Sequence, residues 1–496
     1  MAIRVYFIQL VALGNQFPTP PQRRRDGCSE CRRKKVKCDL RRPVCSRCTR
    51  FPKECRYGQN FVGERQRLKR QDASEQPPHS PIKPKVSLCT NMDESVVILP
   101  RQIHLNPSPF LSTEQYLFFL RLFATETAPR LFPAAPSIFV HQLVNRALET
   151  PHLLHALLAS ASSHHGRLMG DTAAISRTAT LKFTSYAVSG LRAALNSPEE
   201  MLKAETTMTA LALSTNDICN GNRDIWQAHL SGATRLLAAF LDRHAEAPSV
   251  ADPFDLCLVK WFATLDVMAN LTGIRTSLTD RDPCWYLDKI PDAQVGYVDD
   301  ISGYSPELIP MLAQLGQMAS RQDLFMAAKC GAQFTLPRQL LEEAQELEYR
   351  IRSITDRTVS DSTSKNHDSA LTVDLQHTHR AFVHASLLHL HRRVQLLPRD
   401  HSQVKEDITN IVNAVLNIDP FSPANILILW PMFTAGCETS FVSERDLIQK
   451  RMANMQSLGL GNYTRARDML RMFWSSGSLL PWDIYFAEQG IQLVLF

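Results

Sequence analysis

Apolar residues recur every three to four positions over most of the chain from Leu111 onward, the spacing that places them on one face of an α-helix. Ser112, Thr113 and Glu114 can cap the first of these helices. Further helices are predicted at 152–169, 173–196, 201–218, 224–242, 254–272, 335–353, 370–397, 404–416, 423–440 and 444–474. Strand-type alternation is scarce, and the polar residues 355–369 are predicted to form a loop. The pattern therefore predicts an all-α fold of helical hairpins for residues 105–496.

Residues 23–58 lack this pattern and are rich in cysteine. Six of the twelve cysteines of the chain lie there, with one unit, C-x2-C-x6-C, written twice: Cys28, Cys31, Cys38, Cys45, Cys48 and Cys55. Each C-x2-C pair can bring two thiolates to one metal ion. Two tetrahedral zinc ions need eight ligand positions, so six sulfurs suffice only if two of them bridge. The spacing therefore predicts a binuclear zinc site.

The scarcity of apolar side chains in this segment also favours a metal core. Modules shorter than about 40 residues usually need metal or disulfides to fold. Structural zinc contributes roughly 10–16 kcal/mol per ion, which is enough to order such a segment. A disulfide scaffold and a metal buffer such as a metallothionein are the alternatives. The doubled spacing argues against the first and the many basic residues argue against the second.

Charge is distributed unevenly. Between Arg23 and Arg70 there are 18 Lys and Arg against 5 Asp and Glu, a local charge of +13, whereas the formal charge of the whole chain is only +6. The rest of the chain therefore carries 6 − 13 = −7. A basic head on a mildly acidic body indicates a module that binds a polyanion.

The cysteine spacing resembles that of the fungal Zn2Cys6 binuclear-cluster transcription regulators. Between Cys31 and Cys38 lies RRKKVK, similar to the basic first helix of that family, and Pro43 stands at the position of its loop proline. The resemblance implies a small two-zinc module in which Cys28 and Cys45 are the bridging ligands. It also implies that the partner is double-stranded DNA.

In that family the basic helix enters the major groove and lysines bond to guanine. The resemblance implies that Lys34 and Lys35 contact bases and that the target is a CGG-type triplet. The other cations of the module are then assigned to phosphates, namely Arg32, Arg33, Lys37, Arg41 and Arg42.

Two segments of the helical region are similar to the fungal-specific transcription-factor domain. One is WQAHLSGA, which begins at Trp226, and the other is LWPMFTAGCE, at 429–438. Both tryptophans are predicted to be core residues. The resemblance implies a nuclear regulator of genes transcribed by RNA polymerase II. Its helical regulatory domain, residues 105–496, would bind the transcription machinery or co-regulators.

The remaining segments are assigned from composition. Residues 1–22 are predicted to be disordered, because Gln9 interrupts the short apolar run that would otherwise imitate a secretory signal. Residues 59–104 are predicted to be a linker, basic at first and then rich in proline. The linker lacks a heptad repeat, so a homodimer is possible without a coiled coil there. No apolar run is long enough to predict a membrane span.

The sequence offers little for catalysis. No nucleophile elbow or phosphate-binding loop occurs, and an enzyme is not predicted. The histidines at 377, 379, 384, 389 and 391 are expected to be ordinary core or surface residues, and no cofactor other than zinc is predicted. The alternative function is a helical interaction or ligand-binding scaffold that carries a purely structural zinc cluster.

Overall fold

A computed structural model describes the chain in two parts. Near the N-terminus it describes the single residues 31, 39, 44, 45, 48, 49 and 55. Beyond them it describes 113–170, 174–221, 225–245, 253–271, 284–287, 296–328, 337–359, 369–491 and 494–496. The two parts belong to different structural units of the chain, a small cysteine-containing unit and a large helical unit.

The first half of the helical unit contains nine helices and a π-helical turn, Phe123–Thr127, among the described residues. Thr113 caps the first helix as predicted, because its hydroxyl accepts a hydrogen bond from the amide of Tyr116 at 3.4 Å. The helices are α1 Glu114–Leu122, α2 Ala128–Leu131, α3 Ser137–Glu149, α4 Pro151–Met169, α5 Ala174–Ala194, α6 Pro198–Met201, α7 Ala204–Cys219, α8 Ile225–Ala245 and α9 Pro253–Leu271.

The second half contains eight more described helices. Two strands of two residues each, β1 Tyr297–Val298 and β2 Thr358–Val359, pair in parallel. The described residues contain no other strand. The helices are α10 Leu308–Ala328, α11 Arg338–Ser353, α12 Ser369–His389, α13 Ser402–Asn417, α14 Leu429–Glu438, α15 Val442–Ser457, α16 Gly461–Ser476 and α17 Trp482–Glu488. A π-helical turn, Leu390–Val394, follows α12, and a 3-10 turn, Pro423–Ile426, precedes α14. The all-α fold predicted from the sequence is confirmed.

Helix α7 lies at the centre of the helical unit. Every residue of it except Glu205 is buried, which is typical of a helix surrounded by others. Two of its hydroxyl groups have partners on neighbouring helices: the indole of Trp261 donates to Thr215 at 3.2 Å, and Ser214 donates to the carbonyl of Trp226 at 3.1 Å. Trp226 and Trp430 are both buried, as predicted.

Three predicted helix boundaries differ from the structure. The stretch 423–440 divides into the 3-10 turn and α14, and 444–474 divides into α15 and α16. The second break occurs at Gly459, whose φ of +81° favours glycine. The stretch 370–397 leaves regular α-helix after His389. Pro431 lies in the first turn of α14, where a missing amide hydrogen costs little.

Five of the buried histidines of the helical unit share the same change in pKa: His152, His164, His229, His379 and His389. Burial lowers the pKa of each to about 4. His379 shows how such a ring is held neutral. The amide of Ser305 donates to its Nδ1 at 3.2 Å, so the proton is on Nε2, which donates to the carbonyl of Ile354 at 2.7 Å.

We expect the helical unit to lose stability as the pH falls from about 6.5 to about 4. In this window the unfolded chain binds protons on these histidines and the folded chain does not. The free energy of unfolding should therefore fall with pH, by about 1.4 kcal/mol per pH unit for each histidine. Urea unfolding followed by circular dichroism at several pH values measures the slope. His379→Gln should reduce the slope by one histidine's share, and an unchanged slope would contradict the assignment.

Candidate metal centre

Three of the predicted cysteine ligands lie together. The sulfurs of Cys31, Cys45 and Cys48 are all within 4.8 Å of one another, and all three side chains are buried. The Sγ atoms of Cys31 and Cys45 are 3.8 Å apart although the residues are 14 positions apart in the chain. Among the described residues, this is the group of His, Cys, Asp and Glu side chains whose geometry could hold a metal ion.

The distance between these sulfurs fits zinc. Two thiolates on one tetrahedral zinc ion, each about 2.3 Å from it, lie about 3.8 Å apart. The S–S bond of a disulfide is about 2.05 Å long, so Cys31 and Cys45 are not joined to each other. As thiolates, three sulfurs held this close would repel one another, and a bound divalent cation would supply the compensating charge. The donor set and its spacing therefore suit zinc.

Local hydrogen bonds orient the second cysteine pair. The amide and the hydroxyl of Thr49 both donate to the carbonyl of Cys45, at 3.0 and 3.1 Å. This closes a helical turn that places Cys45 and Cys48 on the same side. The amide of Cys45 donates to the sulfur of Cys55, 3.4 Å away. Cys55 is half-buried beside the three buried cysteines.

The other predicted site residues lie outside the described residues. These are the ligands Cys28 and Cys38, the base-contacting Lys34 and Lys35, and the residues assigned to phosphates, Arg32, Arg33, Lys37, Arg41 and Arg42. The described part of the site therefore consists of Cys31, Cys45, Cys48 and Cys55.

Comparison with protein families identifies both units. Residues 118–496, well over half of the chain, match the model of the fungal specific transcription factor domain. The chain belongs to this family of transcription factors. Residues 26–62 of the transcription factor match the model of the fungal Zn(2)-Cys(6) binuclear cluster domain, and this match contains all six cysteines.

Comparison with individual proteins matches a smaller part of the chain. Sterol uptake control protein 2 of Candida albicans is 35% identical to the transcription factor over 89 residues, which is 18% of this chain and 12% of the relative. The chain thus covers only a small part of that protein's length. No solved structure matches the transcription factor.

The protein is a DNA-binding, zinc-binding transcription regulator with an all-α architecture. The two matched families are transcription factor domains and not enzyme families. In the described part of the chain, no helix is long and apolar enough to cross a membrane.

The histidine-rich helix of the transcription factor forms contacts that the sequence did not indicate. His391 is fully buried, and its Nδ1 lies 2.7 Å from Oδ2 of Asp407 on α13. His384 lies about two turns away on the same face, with its Nδ1 3.3 Å from the other oxygen of Asp407. Glu348 on α11 approaches the far side of His391, with 3.5 Å between Oε1 and Nε2. The histidines and carboxylates hold α11, α12 and α13 together, and together they do not form a metal-binding group.

Two arginines beside His391 were missed by the sequence analysis. Arg392 and Arg393 follow it in the π-helical turn, and both are buried. Nε of Arg392 donates to Glu438 on α14 at 2.7 Å. Arg393 pairs with the buried Asp483 on α17 and with the exposed Asp323 on α10.

The π-helical turn therefore directs three successive polar side chains, one histidine and two arginines, toward carboxylates on five other helices. Burial by itself lowers the pKa of Arg393, but the charges of Asp483 and Asp323 outweigh burial and raise it overall. The available sequence signal was an Arg-Arg pair inside an apolar helical stretch, where unpaired arginines are rarely buried.

Proposed function

We propose that the protein is a nuclear, sequence-specific regulator of genes transcribed by RNA polymerase II, and that its zinc cluster reads CGG-type triplets in the major groove. The observation that carries this proposal is the group of buried sulfurs at the zinc-ligand spacing, inside the segment that matches the binuclear cluster domain. Members of such families act in the nucleus, and the basic segment around the cysteines supplies the charge that DNA binding needs.

In this proposal the cluster binds two zinc ions through the six cysteines, with Cys28 and Cys45 shared between them. When bound, the metal would cross-link the segment, which has too few apolar side chains to form a core, and its positive charge would balance that of the thiolates. The cysteine ligands would fix the orientation of the basic helix that we propose between Cys31 and Cys38. Lys34 and Lys35 then donate to guanine O6 and N7, and five further cations hold phosphates: Arg32, Arg33, Lys37, Arg41 and Arg42.

The other parts of the chain complete the proposal. Residues 23–58 form the DNA-binding module, 59–104 the linker after it, and 105–496 a regulatory domain that receives co-regulators or the transcription machinery. A homodimer, if it forms, would use the regulatory domain, because the linker sequence lacks heptads.

Selection of binding sites from random DNA duplexes, with the full chain in the presence of zinc, tests this function directly. Enrichment of CGG triplets is the expected result. Sequence-independent binding that weakens uniformly with salt would instead favour the alternative, a helical scaffold with a structural cluster.

Substitution of single cations separates base contacts from phosphate contacts. We expect Lys35→Ala to lose about 1–3 kcal/mol of discrimination between CGG and a scrambled duplex. We expect Arg41→Ala to weaken both duplexes equally and to reduce the salt dependence. Fluorescence anisotropy with both duplexes at several salt concentrations measures these effects. Equal losses on the two duplexes for Lys35→Ala would reject its assignment to a base.

A further inference from the structure

Two arginines lie side by side on neighbouring aromatic rings near the start of α15. The guanidinium carbon of Arg399 is 5.2 Å from the ring centre of Phe473, and that of Arg445 is 5.1 Å from the ring centre of Trp474. Both rings belong to α16, and the indole of Trp474 is fixed by donating to the carbonyl of Gly436 at 2.8 Å. We call Arg399 and Arg445 the arginine pair. Stacking on rigid rings holds both guanidinium groups in place.

The arginine pair is not fully neutralised. Oε2 of the buried Glu438 accepts from Arg399 at 2.9 Å and also from Arg392 at 2.7 Å, so one carboxylate serves two guanidinium groups. Arg445 donates instead to a neutral group, the carbonyl of Thr439, at 3.1 and 2.9 Å. The nearby carboxylate of Glu444 accepts from the hydroxyl of Thr439. Among these hydrogen bonds the three guanidinium groups have a single carboxylate acceptor, that of Glu438.

The positive charge of the arginine pair is energetically unfavourable because the two guanidinium groups are partly buried and close together. Burial lowers the pKa of Arg445, and the neighbouring charge of Arg399 lowers it further. An anion placed between the two groups would relieve this repulsion. A carboxylate fits well, since a guanidinium group binds it through two parallel hydrogen bonds.

Three residues with large, exposed apolar side chains have their backbone close to the arginine pair or to Arg392. Phe441 is 59% exposed, Val442 71% and Leu479 76%. The backbone carbonyl of Phe441 accepts a hydrogen bond from the amide of Arg445 at 3.1 Å, and Val442 lies about one helical turn before Arg445 on α15. Leu479 is connected to the arginine pair through Arg392. This arginine donates to the carbonyl of Leu479 at 2.9 Å and to Glu438, the carboxylate that Arg399 also binds. We call Phe441, Val442 and Leu479 the apolar rim.

We propose that the arginine pair and the apolar rim form a docking surface for an acidic peptide segment of a partner protein, one that carries large apolar side chains among its carboxylates. This inference rests on the proposed role of the helical unit in binding regulatory partners, and it names the surface and the partner's chemistry. The carboxylates complement the excess positive charge, and the apolar side chains cover the rim.

Binding of a labelled peptide to the full chain tests the proposal. The probe is a short fluorescein-labelled peptide in which aspartate alternates with leucine and phenylalanine, measured by fluorescence anisotropy in the presence of zinc. Arg445→Gln should weaken binding about tenfold, since one charge-assisted pair is lost. Phe441→Ser should weaken it severalfold. Arg471→Gln is the matched control on α16, because Arg471 is exposed and pairs with Asp468, and it should leave binding unchanged.

Three results would overturn the proposal: a peptide with asparagine in place of aspartate binding as tightly, Arg445→Gln binding as tightly as the unaltered chain, or an unlabelled duplex without CGG displacing the peptide. Thermal melting by circular dichroism verifies that each variant is folded, and Arg445→Lys keeps the charge if Arg445→Gln unfolds. The Lys35→Ala chain should bind the peptide normally. Failure of DNA recognition is thereby distinguished from failure of this surface.

Discussion

Replacing Cys45 by serine is expected to abolish zinc binding and DNA binding together. Cys45 is fully buried, its sulfur lies 3.8 Å from that of Cys31, and its amide donates to the sulfur of Cys55. Its carbonyl also closes the turn that positions Cys48. We propose that it is one of the two shared ligands, so its loss would weaken both metal positions at once. Few apolar contacts exist to replace the roughly 10–16 kcal/mol that each structural zinc ion supplies.

Native mass spectrometry gives the number of zinc ions per chain, and anisotropy with a CGG duplex gives the affinity. For Cys45→Ser we expect the zinc content to fall and the affinity to drop at least about a hundredfold, because the module no longer orders its basic helix. Cys257→Ser, a partly buried cysteine on α9, is the matched control and should retain both properties. A Cys45→Ser chain that keeps two zinc ions would refute the shared-ligand assignment, and cystines in the native chain would refute the metal site itself.

The cysteine group and the helices were predictable for the same reason. Each depends on residues that are close in sequence, such as the C-x2-C pair of Cys45 and Cys48 or the hydroxyl of Thr113 next to the helix that it caps. Local spacing is enough to indicate such features.

Other features depend on contacts between distant parts of the chain. Helix α10 was not predicted because Pro310 and Gly316 interrupt its pattern. Pro310 lies in its first turn, where proline is tolerated, and Gly316 lies where α10 passes close to the backbone of Asn270 on α9. The short strands β1 and β2 likewise pair residues that are 61 positions apart in the chain, such as Tyr297 and Thr358. Nothing local to either segment indicates its partner.

The π-helical turn after α12 is the clearest example of local structure that depends on residues far away in the sequence. The apolar pattern continues to residue 397 and predicts regular helix, yet the backbone changes at Leu390. The change accompanies the burial of three consecutive polar side chains, His391, Arg392 and Arg393, whose carboxylate partners are up to 90 positions away. Periodicity could place these residues on a helix but could not show that all three would be paired.

Loss of the buried carboxylate in this cluster is expected to be the most destabilising single change in the helical unit. Arg393 binds two carboxylates: Asp483 is 7% exposed and Asp323 is 56% exposed. Asp483→Ala leaves a buried guanidinium group without its buried partner, and such a change costs about 3–5 kcal/mol. Asp323→Ala removes a partner that water replaces readily, so we expect a cost below about 1 kcal/mol. The two variants share one arginine and differ only in the burial of the group removed.

Urea unfolding of the full chain, followed by circular dichroism, measures the free energy of unfolding for both variants. The double variant Arg393→Met with Asp483→Leu provides a further comparison, because replacing both charges by apolar groups of similar size removes the desolvation cost along with the attraction. It should recover most of the stability that Asp483→Ala loses. If Asp483→Ala were no more harmful than Asp323→Ala, the pair would not be holding α12 and α17 together. If the double variant remained as unstable as Asp483→Ala, the loss would come from packing around Asp483 and not from an uncompensated charge.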